Sequence, residues 1–172
     1  VVTDVQINAT FIVVNFNKDI EPSTVTGGTC PVGSGNVFLE GSGGDFAFAG
    51  DPGNTVADVC VPTFVQQTAP NQITLNLLGL LPTDLYRLNV LSGGVTDVIP
   101  MSNPLDGEFD GPSTGTPPGN GNVFPSGDGV VGGDFLYRFI TGDAPTQPIS
   151  TAPLPPPVTT GTPIVLPSTE NA

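Results

Sequence analysis

Hydrophobic residues recur at every second position along much of residues 1–141, and clusters of Gly, Pro, Asn and Asp interrupt them. In Gln72-Ile73-Thr74-Leu75-Asn76-Leu77 the residues Ile73, Leu75 and Leu77 share one face, as a half-buried strand requires. Leu85-Tyr86-Arg87-Leu88-Asn89-Val90 points Tyr86, Leu88 and Val90 one way, and Phe135-Leu136-Tyr137-Arg138-Phe139 groups Phe135, Tyr137 and Phe139. The segment from Phe11 to Phe16 is apolar almost throughout and β-branched in its middle, which predicts a strand covered on both faces. Weaker strands are predicted at residues 1–7, 36–40, 45–49, 56–64 and 94–99. About eight short strands with turn signals between them read as an all-β sandwich. Pro22-Ser23-Thr24 predicts a turn, with one short helical turn after the Phe11–Phe16 strand, and Gly93-Gly94 supplies the positive φ of a tight turn.

Two regions break this rhythm. Residues 100–133 form a long loop rich in Gly, Pro, Ser and Asp, longer than an ordinary hairpin connection. Residues 143–172 carry Pro145, Pro148, Pro153, Pro155, Pro156, Pro157, Pro163 and Pro167, the composition of a semi-rigid polyproline-like arm. The chain therefore divides into a sandwich over 1–142 and an extended Pro-rich tail over 143–172, which is expected to dock on something. Within that tail Ile164, Val165 and Leu166 form a short β-prone segment bracketed by prolines. Proline confines such a strand to a sheet edge, so these residues are assembly candidates, donating a strand to their own or another sheet.

Composition sharpens this picture. Twenty-three Gly and 20 Pro disfavour helix, while 37% hydrophobic residues suffice for one core. Three Lys+Arg against 16 Asp+Glu leave a net charge of −13. Such a surface repels nucleic acid and anionic lipid and excludes them as partners. No run of 18 or more apolar residues is present, so no membrane insertion is expected. A first residue Val1, without Met or a basic-then-apolar leader, reads as a mature exported form. Asn8-Ala9-Thr10 is an N-glycosylation sequon, which fits an extracellular location.

Three stretches resemble a known family. Phe16-Asn17-Lys18-Asp19-Ile20-Glu21-Pro22-Ser23-Thr24-Val25-Thr26 is the first, and the second runs from Leu81-Pro82-Thr83-Asp84-Leu85-Tyr86 into Ser92-Gly93-Gly94-Val95-Thr96-Asp97. The third joins Asn103-Pro104-Leu105-Asp106-Gly107-Glu108-Phe109 to Phe124-Pro125-Ser126-Gly127-Asp128-Gly129 and Gly132-Gly133-Asp134-Phe135. In this order, over roughly residues 10–141, they resemble the bacterial Ig-like domain of the SbsA type (the Big_5 family). The resemblance implies an immunoglobulin-like β-sandwich in an exported structural protein. Cys30, Cys60 and the Pro-rich tail depart from the family pattern.

Candidate chemistry is sparse. Asp106-Gly107-Glu108-Phe109-Asp110-Gly111 places carboxylates at alternate positions and a Gly at the sixth, the offsets of a calcium loop. Asp128 and Asp134 follow and extend the candidate set, so calcium is the expected cofactor, bound within residues 106–134. Position 12 holds Pro117, and Asp and Gly are also ordinary turn residues, so a merely solvated acidic loop is the competing reading. With no His and only two Cys, nucleophilic and zinc chemistry lack their residues. A carboxylate pair for glycoside hydrolysis would want sugar-stacking aromatics, yet there is no Trp and only two Tyr. The chain thus reads as a structural module rather than an enzyme: an extracellular subunit of a surface filament or layer, with copies of itself as partners. A calcium-stabilised adhesin recognising a protein or glycan is the alternative.

Cys30 and Cys60 are expected to form a disulfide, closing a loop of about 31 residues and stabilising the fold by roughly 3–4 kcal/mol. Intact mass should rise by the hydrogens of one reduced disulfide when reductant is added. Thiols that react in the unreduced folded protein would show that the pair is not formed.

Overall fold

The computed structural model describes residues 1–28, 35–98, 102–107 and 124–141, and the backbone of 109–110. Its strands are β1 (Val2–Ile7), β2 (Phe11–Phe16), β3 (Val37–Gly41), β4 (Val59–Val61), β5 (Thr63–Ala69), β6 (Gln72–Leu77), β7 (Leu85–Val90), β8 (Phe109–Asp110) and β9 (Phe135–Ile140). They form two sheets, one ordered β1-β2-β6-β5 and the other β4-β3-β7-β9-β8. Pairing is antiparallel except between β8 and β9. No helix among these residues is long and apolar enough to cross a membrane.

Period-two alternation decides which side chains meet. Ile12, Val14 and Phe16 of β2 and Ile73 and Leu75 of β6 point from the first sheet into the core. Val37, Leu39, Leu88, Val90 and Phe135 meet them from the second. Every one of these is essentially inaccessible to water. Phe135, Tyr137 and Phe139, grouped as their spacing predicts, form a ladder of rings that Tyr86 of β7 extends, with neighbouring centroids 5.6–6.3 Å apart.

The chain crosses from β2 to β3 through a 3-10 turn at Pro22–Thr24, where Pro22 presets φ and the Thr24 hydroxyl donates to the Glu21 carbonyl at 2.6 Å. Buried Asn36 secures the crossing. Its Nδ2 donates to the Thr24 carbonyl and its Oδ1 accepts the Thr26 amide at 2.9 Å. Asn8 and Thr10 of the sequon lie in the β1–β2 hairpin, where the Asn8 amide donates to the Phe11 carbonyl at 2.9 Å.

Four expectations require correction. The Phe11–Phe16 strand is covered on one face only, since Phe11, Val13 and Asn15 point away from the core. Its continuous hydrophobicity does not mean a two-sided environment. Residues 45–49 form no strand, because positive φ at Gly43, Gly44, Phe46 and Gly50 coils the segment. Residues 56–64 are two strands, β4 and β5, in different sheets. Pro62 lies between them and cannot donate to either ladder. Residues 94–98 make only isolated bridges, Thr96 with Pro104 and Asp97 with Ile20.

The coiled segment 42–58 covers the outer face of the second sheet. Glu40, Arg87 and Arg138 stand in one row across β3, β7 and β9. Phe48, wholly buried, lies over that row, with the Arg87 guanidinium 4.3 Å and the Arg138 guanidinium 5.4 Å from its ring centre. Arg87 also donates twice to Glu40 Oε2, at 2.8 and 2.9 Å, while Arg138 pairs with Asp51 of the covering loop at 2.7 Å. Replacing Phe48 with Ala is expected to destabilise the protein by about 3–5 kcal/mol, through the lost apolar burial and the cavity left behind. Urea denaturation measures this, and a loss below about 1 kcal/mol would show that the loop is only draped on the sheet.

Candidate functional site

Strands β4 and β5 are edges of their sheets among the described residues, and the chain turns from one to the other at Pro62. Opposite them runs Leu77-Leu78-Gly79-Leu80-Leu81, the loop leaving β6. Between the two lies a groove of about 550 Å³, lined by Val59, Val61, Leu77, Leu80, Leu81 and Tyr86 among others. Leu78 and Leu80 are each 76% exposed, an unusual setting for two neighbouring leucines. Beside it, β5 presents seven residues without a charge or an internal proline, and its only irregularity is a bulge between Gln67 and Ala69. Edge strands are ordinarily blunted by such residues, so β5 is poorly protected against pairing with another chain.

The floor of the groove is rigid. Asp84 accepts hydrogen bonds from the Ser42 hydroxyl and from the amides of Gly43 (3.1 Å), Gly44 (3.2 Å) and Leu85 (2.8 Å). A Cβ at Gly41 would come within 3.2 Å of both the Asp84 carboxylate and the Tyr86 ring. Burial, reinforced by the Asp84 charge, raises the pKa of the Tyr86 hydroxyl, which donates to the Pro82 carbonyl at 3.1 Å. Asp84 is thus committed to shaping the loop, and the groove presents mainly apolar side chains. At its rim stands Thr141, the last described residue before the tail. Its amide donates to the Asp84 carbonyl at 3.1 Å and its hydroxyl to the Pro82 carbonyl.

The predicted acidic residues divide between separate turns. Asp106 accepts the amides of Asp128 (3.0 Å) and Gly129 (3.1 Å), joining two distant parts of the long loop. The carboxylate sits so close that a Cβ at Gly127, where φ is +88°, would collide with it at 2.1 Å. Asp128 accepts the Val130 amide at 2.9 Å. Asp134 binds elsewhere, accepting the amide (2.8 Å) and hydroxyl (3.1 Å) of Ser92. Glu108 and the Asp110 side chain lie outside the described residues, within which no group of three acidic, His or Cys residues is arranged to hold a metal. Cys60, on β4 opposite Glu40, is disulfide-bonded, while Cys30 lies outside the described residues. So do Ile164, Val165 and Leu166.

The groove itself carries a sequence signal that periodicity does not capture. Four leucines in five positions, ending the alternation of β6, predict neither a strand nor a polar loop. The capping role of Asp84 has no such signal, because an isolated Asp before a strand looks like any turn residue. No protein-family model matches the chain, and comparison with curated proteins and with solved structures returns no match. The Ig-like resemblance therefore rests on the three stretches that carry it.

Beside the groove, Asp45 ties down the covering loop. The amides of Thr55 (2.6 Å), Val56 (2.8 Å) and Ala47 (3.0 Å) hold its carboxyl below the usual carboxylate range. A lowered folded-state pKa means that its stabilisation is complete above the unfolded value of about 4. That stabilisation is lost as pH falls through the lower folded value. Hydrogen-exchange protection of the Thr55 and Val56 amides should therefore fall selectively below about pH 4. In Asp45→Asn it should already be reduced at neutral pH. Equal protection in both proteins would show that the loop is held without this carboxylate.

Proposed function

We propose that this chain is an extracellular structural module, an Ig-like subunit of a surface filament or layer joined through subunit–subunit β contacts. The strand order supports the Ig-like reading: β1-β2-β6-β5 and β4-β3-β7-β9 follow the A-B-E-D and C′-C-F-G orders of such sandwiches. The observation that carries the assembly reading is the apolar groove at the root of the tail, flanked by unprotected strand edges. Residues 145–161, if extended at about 3 Å each, span roughly 50 Å and bring Ile164, Val165 and Leu166 to a neighbouring subunit. There the segment adds to a free edge and sets its apolar side chains in the groove between Val59 and Leu80. Head-to-tail repetition of this contact does not close, and so yields a fibre.

Electrostatics favours a contact of this kind. Each subunit has a net charge of −13, so copies repel unless they meet on uncharged surface. The groove supplies such surface, since its carboxylate, Asp84, is engaged internally. A Cys30–Cys60 disulfide would brace β4 beside the groove in an oxidising environment.

Deleting residues 145–172 is expected to leave a folded monomer that no longer assembles, seen by light scattering and electron microscopy. Leu80→Glu in the full chain should have the same effect, because a side chain so exposed contributes little to folding. If both variants assemble like the intact chain, the tail and the groove are not the joint.

A further inference from the structure

Charge is distributed very unevenly between the two sheets. Residues 5–17 and 59–83 contain no charged side chain in a molecule with 16 acidic residues. These segments supply β2, β5, β6 and half of β1 in the first sheet, and β4 at the edge of the second. The outer face of their sheet carries Phe11, Asn76 and Phe64 in one row, Gln6, Val13, Thr74 and Gln66 in the next, and Asp4, Asn15 and Gln72 in a third. Asp4 is its single ionisable group.

The polar side chains of this face are already ordered. Gln72 donates to Asn15 at 2.8 Å, Asn15 to Asp4 at 3.3 Å, and Gln6 to Asp4 at 2.9 Å. Thr68 joins the array through Gln72 and Thr74, at 2.8 and 2.9 Å. Phe64, 60% exposed, and Phe11, 37% exposed, stand on either side of Asn76. Their strands are separated by one intervening strand, so the rings lie about two strand spacings apart, roughly 10 Å.

We infer that this face is a docking platform for a neutral β-linked polysaccharide, an activity beyond structural assembly. The two phenyl rings stack on every second sugar of an extended chain laid along their row, with Asn76 between them and the amides and hydroxyls of the adjoining rows facing the sugar hydroxyls. Charge selects this occupant. An anionic polymer is repelled, because Lys18, Arg87 and Arg138, the only basic side chains of the chain, are paired with Asp97, Glu40 and Asp51. A protein that buried the face dry would have to match every amide in it. A sugar hydroxyl donates and accepts at once, and water completes whatever contacts remain.

The test is affinity electrophoresis of the full chain through gels containing hydroxyethylcellulose, with polygalacturonate as the anionic control, and sedimentation with insoluble cellulose. The neutral polymer should retard the chain and the anionic one should not. Phe64→Ala and Phe11→Ala should each weaken retention about tenfold, the scale of one lost stacking contact. Leu80→Glu, on the groove, should bind as the unaltered chain does, which separates a failure of this inference from a failure of the assembly reading. The inference is overturned if hydroxyethylcellulose and cellulose leave the chain unretained. It is equally overturned if Phe64→Ala abolishes a dimer and leaves glycan retention unchanged.

Discussion

Phe48 lies between the covering loop and two guanidinium groups, and the two-sided character of the molecule depends on that contact. A sandwich sheet ordinarily buries one face and wets the other. Here the second sheet is covered on both faces, because segment 42–58 carries one aromatic ring onto a row of arginines that would otherwise face water. The ring covers the guanidinium planes while Glu40 and Asp51 take their in-plane hydrogens. Burying two cations in this way is tolerable only because each has a carboxylate partner.

That arrangement has a cost elsewhere in the charge distribution. With Lys18 paired to Asp97 at 3.4 Å, every basic side chain is committed to a carboxylate. The remaining surface is acidic in its loops and neutral on the first sheet. The acidic loops in turn use their carboxylates on backbone amides: Asp45 on the covering loop, Asp84 at the groove, Asp106 in the long loop and Asp134 on the turn after β7. In a chain so rich in Gly, these carboxylates do the work of fixing loops that helices or longer strands perform in other proteins.

Two surfaces escape the general negative field, and both belong to uncharged stretches of sequence. One is the groove between β4 and the leucine-rich loop, narrow and apolar. The other is the flat outer face of the first sheet, broad and amide-lined. Their chemistry differs, and the two proposals accordingly assign them different partners, a β-prone peptide segment to one and a neutral hydroxylated surface to the other. On the reading proposed above, the first serves cohesion with neighbouring copies and the second adhesion to a polymer matrix.

The alternation at Gln72–Leu77, Leu85–Val90 and Phe135–Phe139 by itself determined the strands and the side chains they turn toward the core, because a strand's two faces are set by its own backbone geometry. The sequence also determined the shortage of cations and the two uncharged stretches. Only the tertiary structure decided which faces were covered. Phe11 and Phe48 are both apolar and both lie near strand-like sequence, yet one looks out to solvent and the other is wholly enclosed. The difference comes from what packs above each sheet, which depends on residues far away in the chain. The same holds for the acidic residues: the alternate spacing around Asp106 is a local property that a cation loop and a set of turn caps share. What separates Asp106 from Asp134 is the distant backbone that each one meets.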